Sequence, residues 1–263
     1  MTLRRLTSVA SLAVLPPLAL LGCEREPRDP SAYSPECAPG TWWDGERCVR
    51  TTGALPVPAV SNDGVVGSFT VAGIRHTGKQ YEGTAEITAL AADGPYKLTW
   101  TLTGETFHGV GIKRGDVLSV GWSEGKDFGV VDFVAKGDGN LEGLWYDASS
   151  SAPGHELLTG GTPSLAGAYT IQKGVAPSGT TYTGTCDLAV TGDLHTLIWH
   201  VGKDTFRGLG VRDGGVLSVG FTTADSGNFG VVQYKLAGAQ LVGRWAEWSQ
   251  KVPNLGTETL TKK

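Results

Sequence analysis

From Val65 onward the chain consists of short runs in which every second residue is apolar or small. Tyr81, Gly83, Ala85 and Ile87 alternate with Glu82, Thr84 and Glu86, and Tyr96, Leu98, Trp100 and Leu102 alternate with Lys97, Thr99 and Thr101. A period of two puts successive side chains on opposite faces of an extended strand, so each run predicts a strand with one buried face. Gly, Asp and Asn interrupt the runs about every 8 to 12 residues, at the spacing of tight turns. No stretch keeps the three-and-four spacing of a helix, and 39 glycines are poorly suited to helix interiors. The pattern predicts an all-β chain.

The alternation is written twice. Residues 106–122, TFHGVGIKRGDVLSVGW, return as residues 205–221, TFRGLGVRDGGVLSVGF, with ten of seventeen positions identical. Repetition on this scale means one structural unit used twice, and what the fold requires should appear in both copies. The repeats span 64–160 and 164–263, and each reads as eight strands. Matched positions show the inner face: Phe69 and Val71 answer Tyr169 and Ile171, Trp100 answers Trp199, and Trp145 answers Trp245. In the fourth strand Gly109 and Gly111, matched by Gly208 and Gly210, leave a groove into which a backbone or a large ring can fit. The sixth strand turns Val131 and Phe133 inward and Asp132 out, matched by Val232, Tyr234 and Gln233.

Eight short strands in sequence order describe an antiparallel meander, and closing the sheet removes its exposed edges. The expectation is two tandem antiparallel meander domains, each a small up-and-down β-barrel of lipocalin- or avidin-like architecture by analogy alone. Two β-sandwiches are the alternative, because period does not distinguish closure from stacking.

Ahead of the repeats, Arg4 and Arg5 precede an apolar run over residues 6–21 that Pro16 and Pro17 interrupt. That run is too short and broken to span a bilayer, and residues 1–22 read as an export signal. Residues 23–63 read as a tether rich in Pro, Ser and charge, carrying Cys37 and Cys48 in a loop short enough for a disulfide in an exported protein. Cys186 replaces the inward Ala85 and is expected to be a buried free thiol. The formal net charge is −4, and losing Arg4 and Arg5 makes it more negative. An acidic body is a poor partner for nucleic acid.

The run closes in Leu20-Leu21-Gly22-Cys23, which resembles the lipobox of bacterial lipoproteins. That resemblance implies that Cys23 is acylated and becomes the new N-terminus, so that acyl chains provide the membrane attachment. Glu24, where the family's inner-membrane retention signal is typically Asp, points to the outer membrane. From Val65 on, Tyr-x-Gly-Thr, Gly-x-Gly, Leu-x-Gly-x-Trp and Gly-x-Glu-x-Leu, each present in both copies, resemble a β-repeat of secreted bacterial proteins of mostly unknown function, some labelled fibronectin-binding. Its residues are structural glycines and aromatics, so it implies no activity.

Glu156 and Glu258 are the polar candidates, because both repeats keep a carboxylate two residues before an inward leucine. Each either satisfies a buried network of Tyr hydroxyls and Trp N–H groups or faces a ligand. Trp100, Trp145, Trp199 and Trp245 either fill the barrels or line them. The histidines fail the repeat test: His108 becomes Arg207, His155 becomes Thr257, and His195 and His200 replace Tyr96 and Thr101. No metal site, cofactor or catalytic constellation is expected. Two non-enzymatic classes remain, a module whose lumen holds a small apolar ligand and an envelope or surface protein whose outer faces meet an extracellular or envelope partner. A hollow lumen favours the first and a filled one the second.

Overall fold

The computed structural model describes residues 41–43, 48–50, 64–91, 94–224, 226–250 and 252–263. The expected export signal, Cys23, Cys37 and the side chain of Cys48 lie outside the described residues, and so do their expected lipidation and disulfide. In the tether, β1 (Thr41–Trp43) and β2 (Cys48–Arg50) pair antiparallel, with Trp43 opposite Cys48.

The first repeat supplies β3 (Gly67–Ile74), β4 (Gln80–Ala89), β5 (Tyr96–Leu102), β6 (Glu105–Arg114), β7 (Val117–Ser123), β8 (Phe128–Ala135), β9 (Leu141–Asp147) and β10 (Gly154–Thr159). The second supplies β11 (Gly167–Val175), β12 (Thr181–Thr191), β13 (Leu194–Val201), β14 (Asp204–Asp213), β15 (Val216–Thr223), β16 (Phe229–Ala237), β17 (Gln240–Glu247) and β18 (Gly256–Lys262). All pairings are antiparallel and they close into two eight-stranded barrels, as the alternation and turn spacing predict. The sandwich alternative does not hold.

The repeats and the barrels do not coincide. One barrel is built from β3–β7 closed by β16–β18, and the other from β11–β15 closed by β8–β10. Each repeat gives five strands to one barrel and three to the other, so a repeat has no core of its own. The free edge of β7 takes β16 rather than β8, with Val120 opposite Val232, while β15 takes β8, with Val219 opposite Val131. Residues 128–133, FGVVDF, and 229–234, FGVVQY, are near copies, so either edge accepts either strand on local pairing alone.

Exchange joins the barrels through surfaces the alternation assigns to the outside. Val110 and Ile112 on β6 pack with Phe128 and Val130 on β8 and Tyr146 on β9, strands of the other barrel. Leu209 and Val211 on β14 likewise pack with Phe229 and Val231 on β16 and Ala246 on β17. Asp132 points out of its lumen, as expected, yet is fully buried between the barrels against Arg114, whose Nε donates to its Oδ1 at 2.8 Å. Gln233, its counterpart, is buried too and donates to Ser218 Oγ at 2.8 Å.

Each lumen holds its own core. Phe69, Val71, Ile87, Leu98, Leu118, Val120 and Tyr234 pack together inside the first barrel, and Tyr169, Ile171, Leu188, Leu197, Leu217, Val219 and Phe133 inside the second.

Candidate functional site

The paired glycines of the fourth strand explain how large rings fit inside small barrels. A Cβ placed on Gly109 would lie 2.8 Å from the Trp100 ring, and one on Gly208 would lie 2.5 Å from Trp199. The indoles lie across these bare backbones and plate the wall instead of plugging the axis. Trp245 covers Gly256 and Trp145 covers Gly154 in the same way. All four repeated tryptophans therefore belong to the core and also border open space.

That space is a cavity of about 870 Å³ that opens from the first barrel over the β7–β8 turn and Phe128, and one of about 390 Å³ in the second. Both volumes fall in the range of small-molecule sites. Trp100, Trp122, Trp245, Tyr81 and Phe107 line the first, and Trp145, Trp199, Tyr182, Phe206 and Phe221 line the second. The cavities open at matching ends, beside Arg75 in the turn after β3 and beside Ala176 and Thr180 in the turn after β11.

Glu258 and Glu156 each border a cavity from a buried inward position, and each is held by aromatic donors. In the first barrel the Tyr81 hydroxyl donates to Glu258 Oε2 at 2.9 Å, Tyr234 donates to Oε1, and Trp100 Nε1 donates to the Tyr234 hydroxyl at 3.1 Å. In the second, Tyr182 donates to Glu156 Oε2 and Trp199 Nε1 to Oε1, both at 3.3 Å, while Trp145 Nε1 donates to the Tyr182 hydroxyl at 3.0 Å. The difference traces to one position: Phe133 replaces Tyr234, so Trp199 reaches the carboxyl group directly. The indole N–H of Trp245, the counterpart of Trp145, makes no close hydrogen bond among the described residues, and its ring stands edge-on to Tyr81 at 6.2 Å between centres.

Burial sets the titration of these groups. It pushes the Glu156 carboxyl up from 4.5 to about 7, against the smaller opposing pull of the Trp199 and Tyr182 hydrogen bonds. Burial likewise raises Glu258, against the donors Tyr234, Tyr81 and Trp100. Tyr182 and Tyr81 are held far above the ordinary phenol value, by burial first and by the neighbouring carboxylates second.

Both sequence-predicted carboxylates and all four tryptophans thus converge on the two cavities. Sequence reasoning placed Tyr81 and Tyr182 inward but did not give them to the carboxylates; the signal was a tyrosine kept in both copies of Tyr-x-Gly-Thr. Phe107 and Phe206 at the mouths were missed, although they stand in the most strongly repeated stretch. His108 lines the mouth of the first cavity and His195 is buried far down the second barrel. Among the described residues no cluster of His, Cys, Asp or Glu is arranged to hold a metal ion. Cys186 is a buried free thiol, as expected, and its pKa is raised by burial first and by Glu156 and Asp187 after it.

No protein-family model, curated protein or solved structure matches the chain.

Proposed function

We propose that the chain is a lipid-anchored envelope protein whose two barrels bind a small, mainly apolar molecule, without catalysing a reaction on it. The observation that carries this reading is the pair of ring-lined cavities, open at matching ends, each with one buried carboxyl group held by aromatic donors. Apolar walls with a few fixed polar groups suit ligand capture, the walls supplying affinity and the polar groups orientation. The outer surface supports a partner-binding role less well, since the large exposed apolar residues among those described, Ile74, Leu90, Val190, Val242 and Val252, are scattered along the chain.

A non-catalytic role agrees with the chemistry at hand. Among the described residues each cavity has a single buried carboxyl group; the other acids of the linings, Glu105, Glu124 and Glu247 in the first and Asp147 in the second, are more exposed. General acid–base work would call for a second acid or a nucleophile beside the buried one. The thiol nearest this description, Cys186, is buried and held protonated. Lipid anchoring is proposed from Leu20-Leu21-Gly22-Cys23, and an outer-membrane address from Glu24. A repeat that resembles one in secreted bacterial proteins, after such a leader, supports the envelope address.

Native mass spectrometry of protein purified from membranes without denaturant tests the reading. A bound mass that disappears when Trp100 and Trp199 are replaced by Leu supports it. Ligand-free protein that also fails to bind hydrophobic fluorophores would return the function to the outer faces.

A further inference from the structure

The second cavity is walled by rings and, among the described residues, bordered by acidic charge alone. Phe221 stands edge-on to Trp145 at 6.1 Å, to Trp199 at 6.4 Å and to Phe206 at 6.5 Å between ring centres. Among the described residues, Glu156 and Asp147 are the charged members of the lining, and no Lys, Arg or His is with them. The first cavity is different, since Arg75, Lys126 and His108 share its lining with Glu105, Glu124, Glu247 and Glu258.

We propose that the second cavity binds a small organic cation, an amine or quaternary ammonium on an apolar body, with Glu156 as its counter-ion. The inference rests on the ligand-binding reading and specifies the class of ligand. Aromatic faces attract a cation through their quadrupoles, most strongly where water is excluded. Burying an ion pair ordinarily strips both partners of water. Here folding has already withdrawn the carboxyl group, so binding desolvates the ligand alone. A carboxylate-bearing ligand would instead meet Asp147 and an ionised Glu156 as like charges, and a neutral one would gain nothing from ionising Glu156.

Among the described residues the neighbours of Glu156 offer no competing cation. Tyr182 and Trp199 donate neutral hydrogen bonds to it, and the phenol of Tyr182 and the thiol of Cys186 are both kept protonated by burial. Arrival of a cation requires Glu156 to give up its proton, which it holds up to about pH 7. Cation affinity should therefore fall about tenfold per pH unit on the acid side of that value, with a proton released on binding.

The test titrates the intact chain with benzyltrimethylammonium, its uncharged carbon isostere neopentylbenzene, and phenylacetate, following tryptophan fluorescence and calorimetric heat across the neutral range. The expected result is a preference for the cation over the isostere of about tenfold or more above neutrality. That preference should shrink as the pH falls, and Glu156→Gln should remove it while leaving isostere binding in place. Equal binding of cation and isostere, or a preference for phenylacetate, overturns the cation assignment and leaves the cavity reading standing. A preference that survives Glu156→Gln overturns the role of Glu156. No binding by any probe overturns both.

Discussion

Ser119 and Ser218 meet hydroxyl to hydroxyl at 2.5 Å, both fully buried, where the two barrels touch. They occupy the same position in their repeats, so a residue here faces its own counterpart, as it would across the axis of a symmetric dimer. Two residues further on, Gly121 and Gly220 bring the backbones together: a Cβ on either would lie 2.1 Å from a carbonyl oxygen, of Gly129 or Gly230. The chain has the architecture of an exchanged dimer held in one polypeptide.

The first prediction follows from that exchange. Cutting between 160 and 164 leaves fragments that each hold five strands of one barrel and three of the other. Neither fragment alone should melt cooperatively as a monomer, and mixing them should give a one-to-one complex by light scattering. A cooperative, monomeric melt from either fragment would show that the repeat closes on itself.

Much of this was legible in the sequence, and what was not has a physical cause. Alternation identified the inward residues because a strand in a closed barrel has one face in the lumen, so Phe69, Leu98, Trp100 and Glu258 read correctly. The exchange was invisible because β8 and β16 offer either free edge nearly the same surface. Val110, Ile112 and Val130 alternate like any strand, and only the assembled pair shows that their outward side is a second core. Whether the lumen was hollow depended on indoles lying across glycines, a matter of ring orientation that spacing does not encode.

The second prediction compares the two carboxyl networks. Glu258→Ala leaves the hydroxyl protons of Tyr81 and Tyr234 without their acceptor, and should destabilise the intact chain by about 1–3 kcal/mol. Glu258→Gln should cost less, since its amide oxygen still accepts. Glu156→Ala, whose two bonds are both 3.3 Å long, should cost less than Glu258→Ala. Denaturant melts check the order, and an unchanged midpoint for Glu258→Ala would remove the structural role.

The third concerns anchoring. Cys23→Ser should move the protein from the membrane fraction to the soluble one, because attachment is assigned to the acyl chains alone. Detergent phase partitioning reads the outcome, and a variant that stayed in the detergent phase would refute the assignment.

The last prediction is the pH dependence of stability. Glu156 holds its proton up to about pH 7 in the folded chain, whereas the unfolded chain releases it near 4.5. Between these values the folded state binds more protons, so raising the pH lowers stability. The contribution is fully present below 4.5 and is lost as pH rises through about 7, a change of about 3 kcal/mol. Glu258 and Asp132, also raised by burial, act with the same sign. His155 and His195, lowered by burial, act in the opposite sense, weakening the fold as the pH falls through the ordinary histidine range. The measurement that isolates Glu156 is therefore the difference in unfolding free energy between the wild type and Glu156→Gln. That difference should move against the wild type from acid to neutral pH and level off above about 7. A difference that stays flat across the window would mean that Glu156 is ionised in the folded chain throughout, and that its buried aromatic donors stabilise the charge fully.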